Sequence, residues 1–180
     1  MAGSPDKLAV VEYFELEETN RPIELVYGVV REPPMPAWDH QLVSARLTAL
    51  LHTHVEELGA GRVASPVDVV LDVDAALVVQ PDLVFISHAR LEIAGERVWG
   101  APDLVVEILS PRSARRDRTV KLSWYRRYGV RECWLVDPRA RTVEVVDLRS
   151  VTVPRLFRGA EPVRSYVLPR WTIAPDRIFA

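Results

Sequence analysis

The sequence predicts an α/β (α+β) domain, a mixed β-sheet flanked by helices with a further helix at the N-terminus. Three observations lead there. Residues 39–58 and 114–128 read as two long helices. Strand-like segments are interleaved with them, the pattern of a layered mixed sheet. Leu104–Leu109 (LVVEIL) is a nearly unbroken apolar run, which marks a strand covered on both faces. The chain of 180 residues fits one domain over 1–180, with residues 1–20 as a helical arm. Its 48% apolar content is that of a folded domain and argues against disorder.

In order along the chain, residues 6–18 place Leu8, Val11, Phe14 and Leu16 close to helical spacing. Asn20, Arg21 and Pro22 end that helix. Glu24 to Arg31 is strand-like, with Gly28 as a bulge or turn point. Pro33, Pro34 and Pro36 force an extended loop. Asp39 is a good N-cap for the first long helix, whose apolar stripe is Leu42 or Val43, Leu47, Leu50, Leu51 and Val55. Gly59 and Gly61 stop it. Val67–Val73 and Leu83–Ile86 read as strands, and 87–101 as loop with one helical turn at most. After Leu104–Leu109 and the second long helix, Cys133–Val136 and Val143–Val146 form a hairpin. A strand near Tyr166–Leu168 and a last turn, Pro175–Phe179, docked on the core complete the reading.

Composition narrows the function. A single Cys excludes a disulfide framework and a Cys-based zinc cluster. Residues 1–20 carry five acids and no long apolar stretch, so no cleaved leader is expected. No window reaches the roughly 18 apolar residues of a membrane span. A cytoplasmic protein without membrane contact is the expectation. The net charge of -2 argues at first against nucleic acid, yet it is unevenly distributed. Residues 112–131 hold eight Lys and Arg against Asp117 alone, a local +7 beside -9 in the other 160 residues. Such a stripe can neutralise phosphates or be a solvated helix face.

Glu107 is the most informative residue. Inside LVVEIL its carboxylate must be paired, protonated or metal-bound, because an unpartnered buried carboxylate costs several kcal/mol. A structural ion pair with an Arg is the alternative use. Asp82 opens a second apolar strand after Pro81. If the two strands are neighbours, both carboxylates meet at one end of the sheet, and paired carboxylates with water are how Mg²⁺ is held. By itself Asp82 is equally a turn-forming Asp. Asp103 shares a strand face with Glu107 but lies ~13 Å away along it, too far for one ion. Lys121, on the following helix, can orient a nucleophile or stabilise developing charge; otherwise it is an exposed helix Lys. His52 and His54 are two apart and do not share a helix face. Neither a Walker A motif nor GxGxxG occurs.

Together these segments resemble the Uma family of restriction-endonuclease-like proteins, within the PD-(D/E)xK nucleases. The matching text is IELVYGVV (23–30), His40 opening a helix, QPDLVFIS (80–87), APDLVVEILSP (101–111), the block 115–138 and the ending 167–180. The resemblance spans about residues 10–180 and implies a restriction-endonuclease-like core with Mg²⁺ (or Mn²⁺) between Asp82 and Glu107. One departure stands out: the motif lysine would fall at 109, where this chain has Leu109. The resemblance assigns that role to Lys121. It also makes Glu24 an extra catalytic carboxylate on or near the first helix, with a surface Glu as the alternative. His40 becomes an acid/base or phosphate contact, or else a capping residue.

The expected function is metal-dependent hydrolysis of DNA phosphodiesters, with Arg115, Arg116 and Arg118 gripping flanking phosphates. By analogy the chain is a homodimer. Trp124, Tyr125, Tyr128 and Trp134 are read as core packing rather than as its interface. The alternative is an inactive nucleic-acid-binding or oligomerising scaffold, suggested by the lysine missing at 109.

Overall fold

The computed structural model describes residues 7–16 and 21–180. Eleven strands form two mixed sheets among these residues. The smaller sheet has the order β2-β1-β5-β4-β7 and the larger β11-β10-β9-β8-β6-β3. The larger is built from β3 (Gly61–Ala64), β6 (Leu83–Ser87), β8 (Leu104–Ile108), β9 (Glu132–Asp137), β10 (Thr142–Asp147) and β11 (Arg155–Arg158). Only the β8–β9 pair within it is parallel. The smaller comprises β1 (Glu24–Val26), β2 (Val29–Arg31), β4 (Val69–Asp72), β5 (Leu77–Val79) and β7 (Val98–Trp99).

Alternation along β6 and β8 sorts their side chains onto two faces. Leu83, Phe85, Leu104, Val106 and Ile108 face helix α2 (Trp38–Glu57). Val84, Ile86, Val105 and Leu109 face the smaller sheet and Trp124 and Tyr125 of helix α4 (Leu122–Tyr128). Every residue of β8 is buried, as its apolar run predicts. The α2 stripe is Val43, Leu47, Leu51 and Val55, each four residues from the last. Each such side chain removed from water contributes roughly 1.5–3 kcal/mol. The α2 N-cap is Ala37, without a side-chain bond. Asp39 lies in the first turn instead, where a carboxylate favours the helix dipole.

Several local expectations are corrected. The N-terminal helix α1 spans Val10–Phe14 among the described residues; residues 1–6 and 17–20 of the expected arm lie outside them. Glu24–Arg31 is two strands, with Tyr27 (φ 52°) and Gly28 (φ 84°) as a two-residue turn. Positive φ at both positions gives the twist that hairpins require. A Cβ on Gly28 would also lie 2.8 Å from the Cβ of Lys7. Tyr166–Leu168 joins no ladder. Its amides bond instead to Glu132 and Ser165, and the strand lies earlier, at β11. The second long helix has three parts: α3 (Ala114–Arg116), a π-helical turn (Asp117–Lys121) and α4. The final helix α5 (Pro175–Ile178) buries Ile178, and Phe179 is buried beside it.

Among the described residues, no helix is long and apolar enough to cross a membrane.

Candidate active site

β6 and β8 run antiparallel with Leu83 opposite Val106. One step outward, Asp82 falls opposite Glu107, so the carboxylates share a face and an end of the sheet. The strand adjacency on which a shared acidic site depends is therefore present. Asp82 is clamped on both oxygens. Oδ2 accepts the Ile108 amide at 2.6 Å, and Oδ1 lies 3.3 Å from His40 Nε2. Ser65 donates to its backbone carbonyl.

Glu107 is 3% exposed. Lys121 Nζ lies 3.0 and 3.1 Å from its two oxygens, and the Tyr125 hydroxyl donates to Oε1. The buried partner is thus a Lys, not the Arg of the alternative reading. Burial pushes the Glu107 carboxyl up to about 8; Lys121 pulls it down, while Asp117 and Asp82 push it further up. Burial alone would lower Lys121, but the carboxylates of Glu107, Glu24 and Asp117 together hold it well above the usual lysine range. Lys121 therefore stays charged.

The π-helical turn is what presents this lysine. Such widened turns recur at functional sites, and here Asp117 and Lys121 are the buried residues of the turn. Lys121 is therefore not an exposed helix residue. It reaches Glu107 from a separate element, while Leu109 sits in the apolar layer at 5% exposure. An ammonium at 109 would have to occupy that layer.

Glu24 is fully buried at the start of β1, not on the first helix and not at the surface. Its Oε1 meets Lys121 at 3.0 Å and the Gln80 amide at 3.3 Å; its Oε2 meets Arg116 at 2.7 Å. Burial would raise its pKa, but Lys121 and Arg116 outweigh that and hold it low. Burial would lower His40, but its bond to Asp82 and that carboxylate's charge raise it. Its Nδ1 is buried without a partner among the described residues.

Other expected residues lie elsewhere. Arg118 pairs with Glu144 of β10. Arg116 is engaged by Glu24 and lies 5.5 Å over the Trp124 ring. Arg115 is exposed. Asp103 is a structural anchor for Arg90, Arg131 and the Ser87 amide. Trp124, Tyr125 and Trp134 are buried, as core packing requires.

Sequence reasoning missed two residues at the centre. Asp117 is buried with Oδ1 4.0 Å from Lys121 Nζ, and Tyr125 bonds Glu107. A signal existed: Asp117, Lys121 and Tyr125 recur every four residues, the spacing of one helix face.

Asp82, Glu107, Asp117, Lys121 and His40 all line one cleft of about 770 Å³. Glu24, Glu107 and Asp117 surround Lys121, Arg116 pairs with Glu24, and Asp82 is held separately by His40 and the Ile108 amide. Among the described residues, no group of three or more His, Cys, Asp or Glu is placed to hold a metal. The donor chemistry fits an ion held by two carboxylates with water completing its shell, the habit of Mg²⁺.

The family model described as "Uma2: Putative restriction endonuclease" matches residues 10–176. A solved structure of "a putative nuclease belonging to DUF820 from Anabaena variabilis ATCC 29413" shares the fold at a TM-score of 0.79. It is 19% identical, over 96% of this chain and 97% of that one. No curated protein sequence matches.

Proposed function

The chain belongs to the Uma2 family, and from that premise we propose that it is a metal-dependent endonuclease hydrolysing DNA phosphodiester bonds. One observation carries the reading. Asp82 and Glu107 are juxtaposed at one end of β6 and β8, and Lys121 bonds Glu107 from a different element within the same cleft.

Asp82 and Glu107 would hold Mg²⁺ or Mn²⁺. When bound, the ion activates a water and offsets charge on the scissile phosphate. Lys121 donates to the attacking water and to the oxygens that gain charge in the transition state. Glu24 is a positioning residue. It meets the same ammonium through Oε1 and helps keep it charged. Tyr125 fixes the Glu107 carboxylate by donating to Oε1. His40, anchored to Asp82 through Nε2, carries a proton beside the leaving oxygen. Two copies of the chain would bring one centre to each strand of a duplex, and the protein would act on DNA in the cytoplasm.

The test is nicking of supercoiled plasmid in Mg²⁺ or Mn²⁺, with Glu107→Gln and Asp82→Asn as controls whose fold is checked by circular dichroism. Nicking by the wild type alone supports the reading. Equal activity in all three proteins overturns it. No metal-dependent cleavage by the wild type favours the inactive scaffold.

A further inference from the structure

The proposed reaction uses Asp82, Glu107, Glu24, Lys121, Tyr125 and His40, but not Asp117. Asp117 is 3% exposed, lines the same cleft and opens the π-helical turn that Lys121 closes. A carboxylate buried this deeply is costly unless a cation or hydrogen bonds compensate it. Its Oδ1 lies 4.0 Å from Lys121 Nζ, beyond hydrogen-bond reach. Burial pushes its carboxyl above the usual aspartate range, and Lys121 at that distance offsets this only in part.

The protons of the ammonium explain the gap. Lysine has three N–H groups to donate, on a flexible four-carbon stem. Lys121 Nζ has three carboxylate oxygens close by: Oε1 and Oε2 of Glu107 at 3.0 and 3.1 Å, and Oε1 of Glu24 at 3.0 Å. Three donors meet three acceptors, and Asp117 stands fourth. In this arrangement Lys121 has no N–H left for a water or a phosphate oxygen, although the proposed reaction needs one from it.

Glu107 is as fully engaged. It accepts from Lys121 on both oxygens and from the Tyr125 hydroxyl on Oε1, and a carboxylate has about four acceptor positions. Any cation that bonds either oxygen becomes a close neighbour of the ammonium. Two cations that close repel strongly at the effective dielectric of a buried site. Asp117 offers the ammonium a second seat on its own turn of helix, without loss of Glu24.

We propose that Asp117 is a positioning residue that receives Lys121 when Glu107 turns to a divalent cation. Lys121 then donates one hydrogen bond to Glu24 and one to Asp117, and its third N–H is free for the substrate. The ammonium stays charged throughout, and no covalent bond changes. This rests on the metal-dependent nuclease reading for the cation, but the exchange of partners can be measured apart from cleavage.

The experiment uses Mn²⁺ alone, without DNA, and the full-length protein. Binding is followed by loss of the free-ion electron paramagnetic resonance signal, at one pH, for the wild type, Asp117→Leu, Lys121→Met and the double variant. Leucine matches aspartate in shape and accepts no bond. Circular dichroism confirms that each variant is folded. Asp117→Leu should weaken Mn²⁺ binding about tenfold where Lys121 is present, a usual coupling within one network, and much less where it is Met. Equal loss in both backgrounds overturns the proposal, since Asp117 then acts only through its charge on the ion. A second measurement needs no variant. Crystals of the wild type with Mn²⁺ should place Nζ about 3 Å from Asp117 Oδ1 and no longer on both oxygens of Glu107. Nζ unmoved beside a bound Mn²⁺ overturns the proposal, and so does a wild type that binds no Mn²⁺. Plasmid nicking by the wild type in Mn²⁺ separates the two ideas. Nicking with Lys121 unmoved removes only this proposal. A lysine that moves, with coupled losses but no nicking, removes only the nuclease reading.

Discussion

Replacing Lys121 by methionine removes the ammonium that Glu107 and Glu24 share at 3.0 Å each. The aliphatic stem is kept, so packing changes little. Two buried carboxylates then face each other with Arg116 alone nearby. Removing one partner of a buried pair costs about 3–5 kcal/mol. Part of this is relieved, because Glu107, already pushed up to about 8, takes a proton. The net loss should be about 3 kcal/mol, a fall of roughly 6–12 °C in Tm for a chain of this size. The double variant Glu107→Gln/Lys121→Met has no uncompensated charge at 107. It should be more stable than the sum of the single losses by about 1–3 kcal/mol. The assay is urea denaturation of all four proteins without divalent metal. Additive losses, within about 0.5 kcal/mol, would refute the claim that Lys121 and Glu107 act as a pair.

Three other expectations concern the frame around the site. Gly61→Ala would place a Cβ 2.0 Å from the carbonyl oxygen of Ile86; forcing β3 off β6 should cost about 3 kcal/mol, read as a lower denaturation midpoint, and an unchanged midpoint would contradict this pairing. Glu132 is fully buried and accepts bonds from Trp134 Nε1, Ser165 Oγ and the Tyr166 amide, so Glu132→Ala should cost about 3 kcal/mol by stranding those donors and should speed amide exchange over 165–168 ahead of the rest; uniform exchange would count against a local anchor. The third expectation is a pH dependence. Folded Glu107 holds its proton up to about pH 8, against the ordinary value of 4.5 unfolded. Between those values the folded state binds more protons, so this contribution is full below about 4.5 and lost as pH rises through about 8. The metal-free protein should lose Tm from pH 6 to 8.5, and Glu107→Gln should reduce that slope. His40, also raised, adds a residual slope of the same sign. An identical slope in the variant would refute the assignment.

What the sequence made legible follows from signal length. The α2 stripe repeats four times, and β8 is apolar throughout, so both could be read directly. β3, β5 and β7 have two to four residues each, too short for periodicity to register. Tyr166–Leu168 looks like a strand because it is apolar, but a buried glutamate holds it in place of a ladder. In the site, Asp82, Glu107 and Lys121 were visible as charges in apolar settings or at a helix position with a role to fill. Glu24 was not visible as buried, because nothing local tells a strand-start acid that two cations will cover it. Tyr125 reads as an ordinary core aromatic, and only the fold brings its hydroxyl to Glu107. The arginines show the limit of composition most clearly. The +7 stretch is real, yet Arg116 and Arg118 are spent on acids, and Arg31, from outside the stretch, joins Arg112 in lining the cleft.

The central claim is that Asp82 and Glu107 together hold a divalent ion within reach of Lys121. Anomalous diffraction from a crystal soaked in Mn²⁺ tests it most directly. The account predicts a single strong peak between the two carboxylates, absent in Asp82→Asn. Manganese bound elsewhere in the chain, or no peak in a crystal of protein that still nicks DNA, would contradict it.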